Sequence, residues 1–165
     1  ARRSVYASSS RGLCGKTTLD SVRLMAPTLQ PVVLSAAALL AMPEQLRASQ
    51  RVFDETGALH AAGLFDPKGA LVLVREDVGR HNACDKIVGT MVMREQWPLA
   101  GHVLALSGRA SFEMVQKAAM AGIPAIVAVS APSTLAVDYA RSAGMTLVGF
   151  VRGRSMNVYS GEVRA

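Results

Sequence analysis

The sequence predicts an α/β domain in which a mixed sheet opens with a β-hairpin and continues through parallel βαβ units. Two observations carry this prediction. Short apolar runs alternate with longer segments of helical periodicity from Arg80 onward, and aromatic residues make up only 5% of a chain that is 50% apolar. Such alternation is typical of parallel strands covered by helices. The 165 residues suit a single domain over 1–165.

The front of the chain shows a less regular pattern. It predicts a helix over Gly15–Met25, a helical or mixed segment over Val32–Met42, and a further helix from Pro43 to Gly57. Pro43 is expected to begin that last helix, because proline is favoured at the first helical position. We expect residues 1–15 to form a flexible loop that carries Cys14.

A β-hairpin is predicted next. Two apolar runs, Leu59–Phe65 and Ala70–Val74, flank the turn Asp66-Pro67-Lys68-Gly69. Proline fixes φ in such a turn and glycine allows a positive φ, so the two runs are expected to pair.

The second half of the chain predicts three helices and four strands. The helices are Arg80–Gln96, Ala110–Ala121 and Pro132–Ala143, and the strands are Val103–Leu106, Ala125–Val129, Met145–Val151 and Asn157–Tyr159. One face of the first of these helices is apolar and is expected to pack in the core: Cys84, Ile87, Val88, Met91 and Val92. Ligands of such sheets bind beyond the carboxyl ends of the strands.

Composition and charge narrow the class of ligand. The chain has 18 Lys+Arg against 12 Asp+Glu, a net charge of +6, which favours an anionic ligand such as a nucleotide. The arginines form no long run and are not interleaved with aromatic residues, so no nucleic-acid partner is expected. The longest apolar stretch is too short to cross a bilayer and no signal peptide is evident, so we expect a cytoplasmic protein without a membrane partner.

The two cysteines and three histidines show no metal-ligand spacing, so no zinc is expected. Cys14 lies beside Gly15 and Lys16 at a predicted helix start, where a thiolate is favoured. A free cysteine packed as a small hydrophobe explains it equally well. The same segment differs from the P-loop pattern at the first glycine, where this chain has Ser10. Because of this difference, a nucleotide triphosphatase is disfavoured.

The densest polar block, Glu76–Lys86, lies between a predicted strand and a predicted helix. Four of its side chains are candidate donors to a ligand: Arg80, His81, Asn82 and Lys86. Glu76 and Asp77 could orient them. The alternative is a capped helix start with Asp77 as N-cap and the charged residues in solvent. Many side chains in this one strand-to-helix turn could contact a ligand, which favours a functional site.

Two further loops are candidate anion sites. Ser107, Gly108 and Arg109 begin a predicted helix, whose free N–H groups could hold a phosphate together with the arginine. Arg152-Gly153-Arg154-Ser155 follows the last long strand and would suit a pyrophosphate or a guanine nucleotide. An ordinary capped helix and a basic hairpin turn are the alternatives.

Taken in order, these segments resemble the FdhD/NarQ family of formate dehydrogenase accessory sulfurtransferases. The resemblance rests on Ser8–Lys16, Phe53–Ala62, Arg75–Lys86, Ser107–Glu113, Ala121–Pro124, Ser130–Ser133 and Asn157–Tyr159. It implies a three-layer α/β/α fold similar to that of cytidine deaminases, without their zinc. The family's N-terminal β-rich region is expected to be absent from this chain.

The resemblance implies a function. Family members are thought to accept persulfide sulfur from a cysteine desulfurase and pass it to a molybdenum cofactor with two molybdopterin guanine dinucleotides, which then enters formate dehydrogenase. GDP would mimic part of this client. The segment that resembles the family's cofactor contact consists of Phe150, Val151, Arg152, Gly153, Arg154 and Ser155. The apolar composition permits a dimer face, and a homodimer is expected.

The sequence departs from the family in one important place. The family pattern C-x-x-C has its usual persulfide carrier at the first cysteine, where this chain has Arg11, and only Cys14 remains. Cys14 could carry sulfur alone, with Arg11 and Lys16 lowering its pKa. Alternatively, Arg11 disables transfer, or the protein is a non-enzymatic chaperone of the cofactor. The first interpretation is favoured. A phosphate-binding domain of unrelated role is the third hypothesis, and Cys84 is expected to be a packing residue.

Overall fold

The computed structural model describes residues 28–165, which form a mixed six-stranded sheet with helices on both faces. The elements are β1 (Leu34–Ser35), α1 (Ala36–Ala48), α2 (Arg51–Thr56), β2 (His60–Phe65), β3 (Leu71–Asp77), α3 (Arg80–Met93), β4 (Val103–Leu106), α4 (Phe112–Met120), β5 (Ala125–Ala128), α5 (Thr134–Ser142), β6 (Thr146–Arg152), β7 (Ser155–Ser160) and β8 (Val163–Arg164). The strand order is β3-β2-β4-β5-β6-β7, and β1 pairs with β8 separately.

The strand directions confirm the predicted mixed α/β fold. Strands β2 and β3 form the expected antiparallel hairpin, and β4, β5 and β6 are parallel neighbours joined through α4 and α5. Antiparallel pairs, β2 with β4 and β6 with β7, complete the sheet. The helix predicted over Gly15–Met25 and the loop predicted over 1–15 lie outside the described residues.

Two hydrophobic clusters cover the two faces of the sheet. Along β4, Leu104 and Leu106 face one cluster, in which α3, α4 and α5 pack, while Val103 and Ala105 face the other, in which α1 packs. Side chains of a strand alternate between faces, so an apolar run without alternation is buried on both sides. The result is three layers, α/β/α.

The prediction that Pro43 begins a helix is wrong, because Pro43 lies inside α1. The helix begins earlier since the Ser35 side chain accepts a hydrogen bond from the Ala38 N–H at 3.2 Å. Three apolar side chains of α1 are buried: Leu39, Met42 and Leu46. An interior proline costs about 3 kcal/mol, and each buried side chain contributes roughly 1.5–3 kcal/mol, so packing outweighs the proline penalty. The predicted end at Gly57 is confirmed, with a φ of 67°.

Smaller differences concern helix ends and short strands. Helix α3 ends at Met93 instead of Gln96, and Val92, predicted in the core, is 50% exposed. Val92 follows the buried Met91 by one residue, which places it about 100° around the helix from the buried stripe. The pairing of β1 with β8 was not predicted, because the paired residues Leu34 and Val163 are separated in sequence by most of the chain. No helix within 28–165 is both long enough and apolar enough to span a membrane.

Strand register brings the predicted site segments to one edge of the sheet. His60 at the start of β2 is opposite Asp77 at the end of β3, and Leu106 at the end of β4 is opposite Ala128 at the end of β5. Strand β6 is parallel to β5, so its end at Arg152 lies at the same edge. We call this edge the carboxyl edge.

Candidate functional site

Backbone hydrogen bonds hold the loops of the carboxyl edge together. Ser107 bonds Ala61 twice: its hydroxyl oxygen accepts from the Ala61 N–H at 2.8 Å, and its own N–H donates to the Ala61 carbonyl at 3.1 Å. The Ser133 N–H donates to the Ala110 carbonyl at 3.0 Å. These bonds fix the loop after β4 to the start of β2 on one side and to the loop after β5 on the other.

The polar block at the start of α3 is centred on Asp77. Its carboxylate accepts from Lys86 Nζ at 2.6 Å, from the Gly79 N–H at 2.8 Å and from Asn82 Nδ2 at 3.0 Å. These partners, Lys86 first, lower the pKa of Asp77 to about 2. Asp77 is therefore not the N-cap, which is Gly79. It orients Asn82 and Lys86, as predicted, and both of these candidate donors are already bonded to it.

Glu76 serves a different element from the one predicted. Its carboxylate accepts from the N–H groups of Val52 at 3.0 Å and Phe53 at 2.9 Å, so it caps the start of α2. Only its backbone carbonyl contacts the α3 block, where it accepts from Lys86 Nζ at 3.0 Å. The prediction that the Glu76 carboxylate orients the donors of α3 is wrong, because two unpaired helix N–H groups lie within its reach.

His81 and Arg80 face α4. His81 Nε2 lies 3.2 Å from the Ser111 hydroxyl and 3.9 Å from the Glu113 carboxylate. Burial raises the pKa of Glu113, but hydrogen bonds from its own N–H and Ser111 and the charges of His81 and Arg80 outweigh burial and lower it. Arg80 Nε is buried without a hydrogen bond to any other described residue. Arg80 is thus the candidate donor of this block with unused bonding capacity.

Three arginines of the neighbouring loops are exposed and have no partner in the part of the chain that the structure describes. Arg109 follows β4, and Arg152 and Arg154 flank the turn between β6 and β7, where Gly153 has a φ of 55°. None of the three guanidinium groups makes an ion pair or a hydrogen bond within residues 28–165. We call Ser107–Arg109 and Arg152–Ser155 together the arginine loops. Their charge is available to an anion.

The end of β6 is irregular just before the second arginine loop. Phe150 has a positive φ of 52°, is partly exposed, and donates its N–H to the Ser130 carbonyl at 3.3 Å. A Cβ on Gly149 would lie 2.9 Å from Pro132 Cδ, so only glycine allows this close approach. Val151 is buried in the core, which leaves only its backbone for a ligand.

The structure describes Cys84 but not Cys14. Cys84 is buried, and burial, with the Asp85 charge, raises the pKa of its thiol to about 12. The expectation that Cys84 is a packing residue is confirmed, because a thiol with such a pKa forms almost no thiolate at neutral pH. Cys14 and Arg11 lie outside the described residues. Among residues 28–165, no group of three or more His, Cys, Asp or Glu side chains could hold a metal ion.

One feature of the carboxyl edge shares only Ser107 with the predicted site residues. A cleft of about 390 Å³ is lined by Arg47, Gln50, Phe53, Gly57, Ala58, Leu59, His60 and Ser107. The segment Phe53–Ala62 belongs to the family resemblance, but no residue in it has a chemistry that identifies a ligand from sequence. Gln50 is polar, and nothing in the sequence shows that it is buried.

Comparisons with known proteins agree on one family. The family model for the FdhD/NarQ family matches residues 1–165. Proteins named sulfur carrier protein FdhD are 59% identical in Streptomyces avermitilis, 55% in Mycobacterium tuberculosis and 41% in Saccharolobus solfataricus, each over 96–98% of this chain. The chain spans 58–62% of the length of these relatives.

A solved structure shares the fold. A crystal structure from Desulfotalea psychrophila, named as a formate dehydrogenase accessory protein, is similar with a TM-score of 0.76 and 30% identity. The match covers 86% of this chain and 60% of that one.

Proposed function

Because the chain belongs to the FdhD/NarQ family, we propose that it is a sulfur carrier in the maturation of formate dehydrogenase. The names of its relatives, sulfur carrier protein and formate dehydrogenase accessory protein, support this role. In the proposed relay a cysteine desulfurase donates persulfide sulfur. The client is a molybdenum cofactor with two molybdopterin guanine dinucleotides, delivered to formate dehydrogenase. We also propose that the protein acts in the cytoplasm as a homodimer.

The proposed sulfur carrier is Cys14. The chain has two cysteines, and the raised pKa of buried Cys84 removes it from consideration. In the first step the Cys14 thiolate attacks the terminal sulfur of the desulfurase persulfide. One S–S bond forms as another breaks, the desulfurase cysteine leaves as a thiolate, and no oxidant is needed. In the second step an electron pair of the client forms the new bond to the outer sulfur, the S–S bond to Cys14 breaks, and Cys14 leaves as a thiolate.

The observation that carries the proposed client is the unpaired charge of the arginine loops. Diphosphate groups bind where guanidinium and backbone N–H donors converge without competing carboxylates. Arg109, Arg152 and Arg154 are exposed and lack carboxylate partners within the described part of the chain, at the edge where ligands of such sheets bind. GDP is therefore the proposed mimic of the client. The arrangement is also compatible with Arg80 as a further donor.

Arg11 favours a second candidate function. Because an arginine stands where the family pattern has its first cysteine, the protein could bind and deliver the cofactor without carrying sulfur. An arginine cannot form a persulfide, whereas the arginine loops would still hold the client.

Persulfide labelling distinguishes the two candidates. We would incubate the full-length protein with a cysteine desulfurase and L-cysteine and read the added mass of one sulfur atom on each cysteine peptide. We expect the label on Cys14, its loss in Cys14→Ala and its retention in the matched control Cys84→Ala. No label together with GDP binding would establish the chaperone. Neither label nor GDP binding would leave a phosphate-binding domain of unrelated role.

A further inference from the structure

An exposed apolar surface lies at the edge of the sheet opposite the carboxyl edge. Helices α3 and α4 both begin at the carboxyl edge and end at this opposite edge. Four apolar side chains are exposed there, and we call them the apolar patch: Val92, Met93, Trp97 and Met120. Met93 is 88% exposed, and Trp97, the one tryptophan of the chain, is 55% exposed. Neighbouring exposed apolar side chains of this size mark a surface that a partner covers.

Backbone hydrogen bonds join the patch into one surface. The Gln96 N–H donates to the Met91 carbonyl at 2.9 Å, which folds the chain after α3 back over the last turn of that helix. The Leu99 N–H donates to the Ala121 carbonyl at 2.9 Å, which holds the same loop beside the end of α4, where Met120 lies. A partner therefore meets apolar side chains on a backbone that is already ordered, and this lowers the cost of binding.

The residue types of the patch are those of a protein interface. Tryptophan, methionine and arginine are enriched in such interfaces. Arg94 and Glu95 lie within the patch in sequence, and both are exposed without a bonding partner among residues 28–165. Their charges cancel, whereas an anionic lipid surface or a nucleic acid selects net positive charge. The complementary surface is a protein with an apolar pocket, a carboxylate opposite Arg94 and a basic group opposite Glu95.

The position of the patch favours one partner of the proposed relay. Helix α3 runs between the two edges, and its 14 residues span about 21 Å. A protein seated on the patch therefore leaves the arginine loops open to the client. The dehydrogenase that receives the client has to contact the carboxyl edge, whereas the sulfur donor has to reach only Cys14.

The path of the chain brings the segment that carries Cys14 to the same layer of the fold. Leu29, near the start of the described residues, packs against the hydrophobic cluster of α3, α4 and α5. Cys14 lies 15 residues before Leu29, and a chain of that length spans at most about 50 Å. This reach exceeds the length of α3, so a donor on the patch is within reach of Cys14.

We propose that the apolar patch is the docking surface for the sulfur donor, a cysteine desulfurase. This inference rests on the proposed function, which supplies the identity of the donor. Met93 and Trp97 would enter an apolar pocket of the desulfurase, and Arg94 would pair with a carboxylate at the rim of that pocket. The donor and the client would bind at opposite edges, so the protein would hold both at once.

The rate of Cys14 persulfide labelling, measured against desulfurase concentration, tests this docking surface. In Met93→Gln and in Trp97→Gln of the full-length protein, the concentration that gives half the maximal rate should rise at least about fivefold, because an interface anchor is lost. The rate at saturating desulfurase should match that of wild type. Met93 is almost fully exposed, so Met93→Gln should also keep the wild-type melting temperature. Val72→Thr, an exposed valine of the edge strand β3, is the matched control and should change none of these quantities.

The single tryptophan allows docking to be observed directly. Full-length protein labelled with 5-fluorotryptophan has one fluorine resonance, that of Trp97. We expect this resonance to shift when the desulfurase is added and to stay shifted when GDP is then added to saturation. A return to the free position with GDP would contradict binding at opposite edges.

The remaining outcomes separate the docking surface from the proposed function. If the Met93 and Trp97 variants need no more desulfurase than wild type, the patch is not the docking surface, although the proposed function stands. If the fluorine resonance shifts when the protein alone is concentrated, a second copy covers the patch and the donor assignment is wrong. If wild-type Cys14 takes no label but the resonance responds to desulfurase, the sulfur-carrier function is lost and the docking surface remains. Neither label nor response rejects both.

Discussion

The carboxyl edge contains two polar regions whose charged side chains have different partners. In the α3 block, Lys86 and Asn82 are bonded to Asp77, and His81 is bonded to Ser111. In the arginine loops, Arg109, Arg152 and Arg154 are exposed and lack partners among residues 28–165. Both regions are equally polar in sequence. The difference teaches that a neighbouring carboxylate decides whether a polar side chain is bonded within the described part of the chain, and we propose that the loops without one hold the ligand.

Removing the unpaired charges should have the largest effect on binding. In the double variant Arg152→Ala/Arg154→Ala, we expect GDP affinity to fall at least about tenfold, because each charge-assisted bond to phosphate contributes roughly 1.5–3 kcal/mol. The melting temperature should stay unchanged, since neither guanidinium has a partner within residues 28–165 to lose. Calorimetric titration at two salt concentrations would measure both the affinity and its reduced salt dependence.

Arg94→Ala is the matched control, because Arg94 is also exposed but lies after α3 at the opposite edge. Equal losses of GDP affinity in Arg94→Ala and in the double variant would show that only net charge matters. The arginine loops would then have no special role.

Removing a charge that is paired within the protein should lower stability instead of GDP affinity. Lys86→Met breaks the bonds to Asp77 and to the Glu76 carbonyl, both partly exposed to solvent. An exposed ion pair contributes about 0.2–1 kcal/mol, so we expect a melting temperature lower by at most about 4 °C. GDP affinity should be unchanged. Lys68→Met, an exposed lysine in the β2–β3 turn, should change neither quantity, and a GDP loss in Lys86→Met alone would assign Lys86 to the ligand.

The smallest expected effect is a pH dependence of the unfolding free energy. The pKa of Asp77 is lowered from 3.8 to about 2 in the folded protein, so its ionised form contributes stability above pH 4. That contribution is lost as the pH falls from about 4 to about 2. Asp77→Asn lacks an ionisable group there, so the difference in unfolding free energy between wild type and variant should shrink over this interval. Urea unfolding measured from pH 6 to pH 2 would show it, and a constant difference would contradict the assigned pKa.

Local patterns predicted most of the fold. The four apolar residues Val103–Leu106 form β4 within the predicted bounds, and Gly57 ends a helix in the left-handed conformation that favours glycine. Predictions that depend on distant partners were wrong or missing. Pro43 is tolerated inside α1 only because that helix packs against the sheet, and β1 needs Val163 as its partner. Neither the packing of α1 against the sheet nor the pairing of β1 with Val163 produces a pattern in the neighbouring sequence.

The sequence predicted the edge of the sheet at which the polar loops lie, but not which of their side chains are paired. Residue types and strand order correctly placed the α3 block and both arginine loops at one edge. Which charges are neutralised depends on distances of a few ångströms, and so Lys86 and Arg152 could not be told apart. The burial of Gln50 was not predicted either, because a glutamine between Ser49 and Arg51 suggests exposure to solvent, and its burial depends on the packing of α1 and α2.

A structure of the full-length protein with GDP tests the central claim most directly. We expect the diphosphate in contact with Arg109, Arg152 and Arg154. A diphosphate bound to the Lys86 and Asn82 side chains, or away from the carboxyl edge altogether, would contradict the division between paired and unpaired charges.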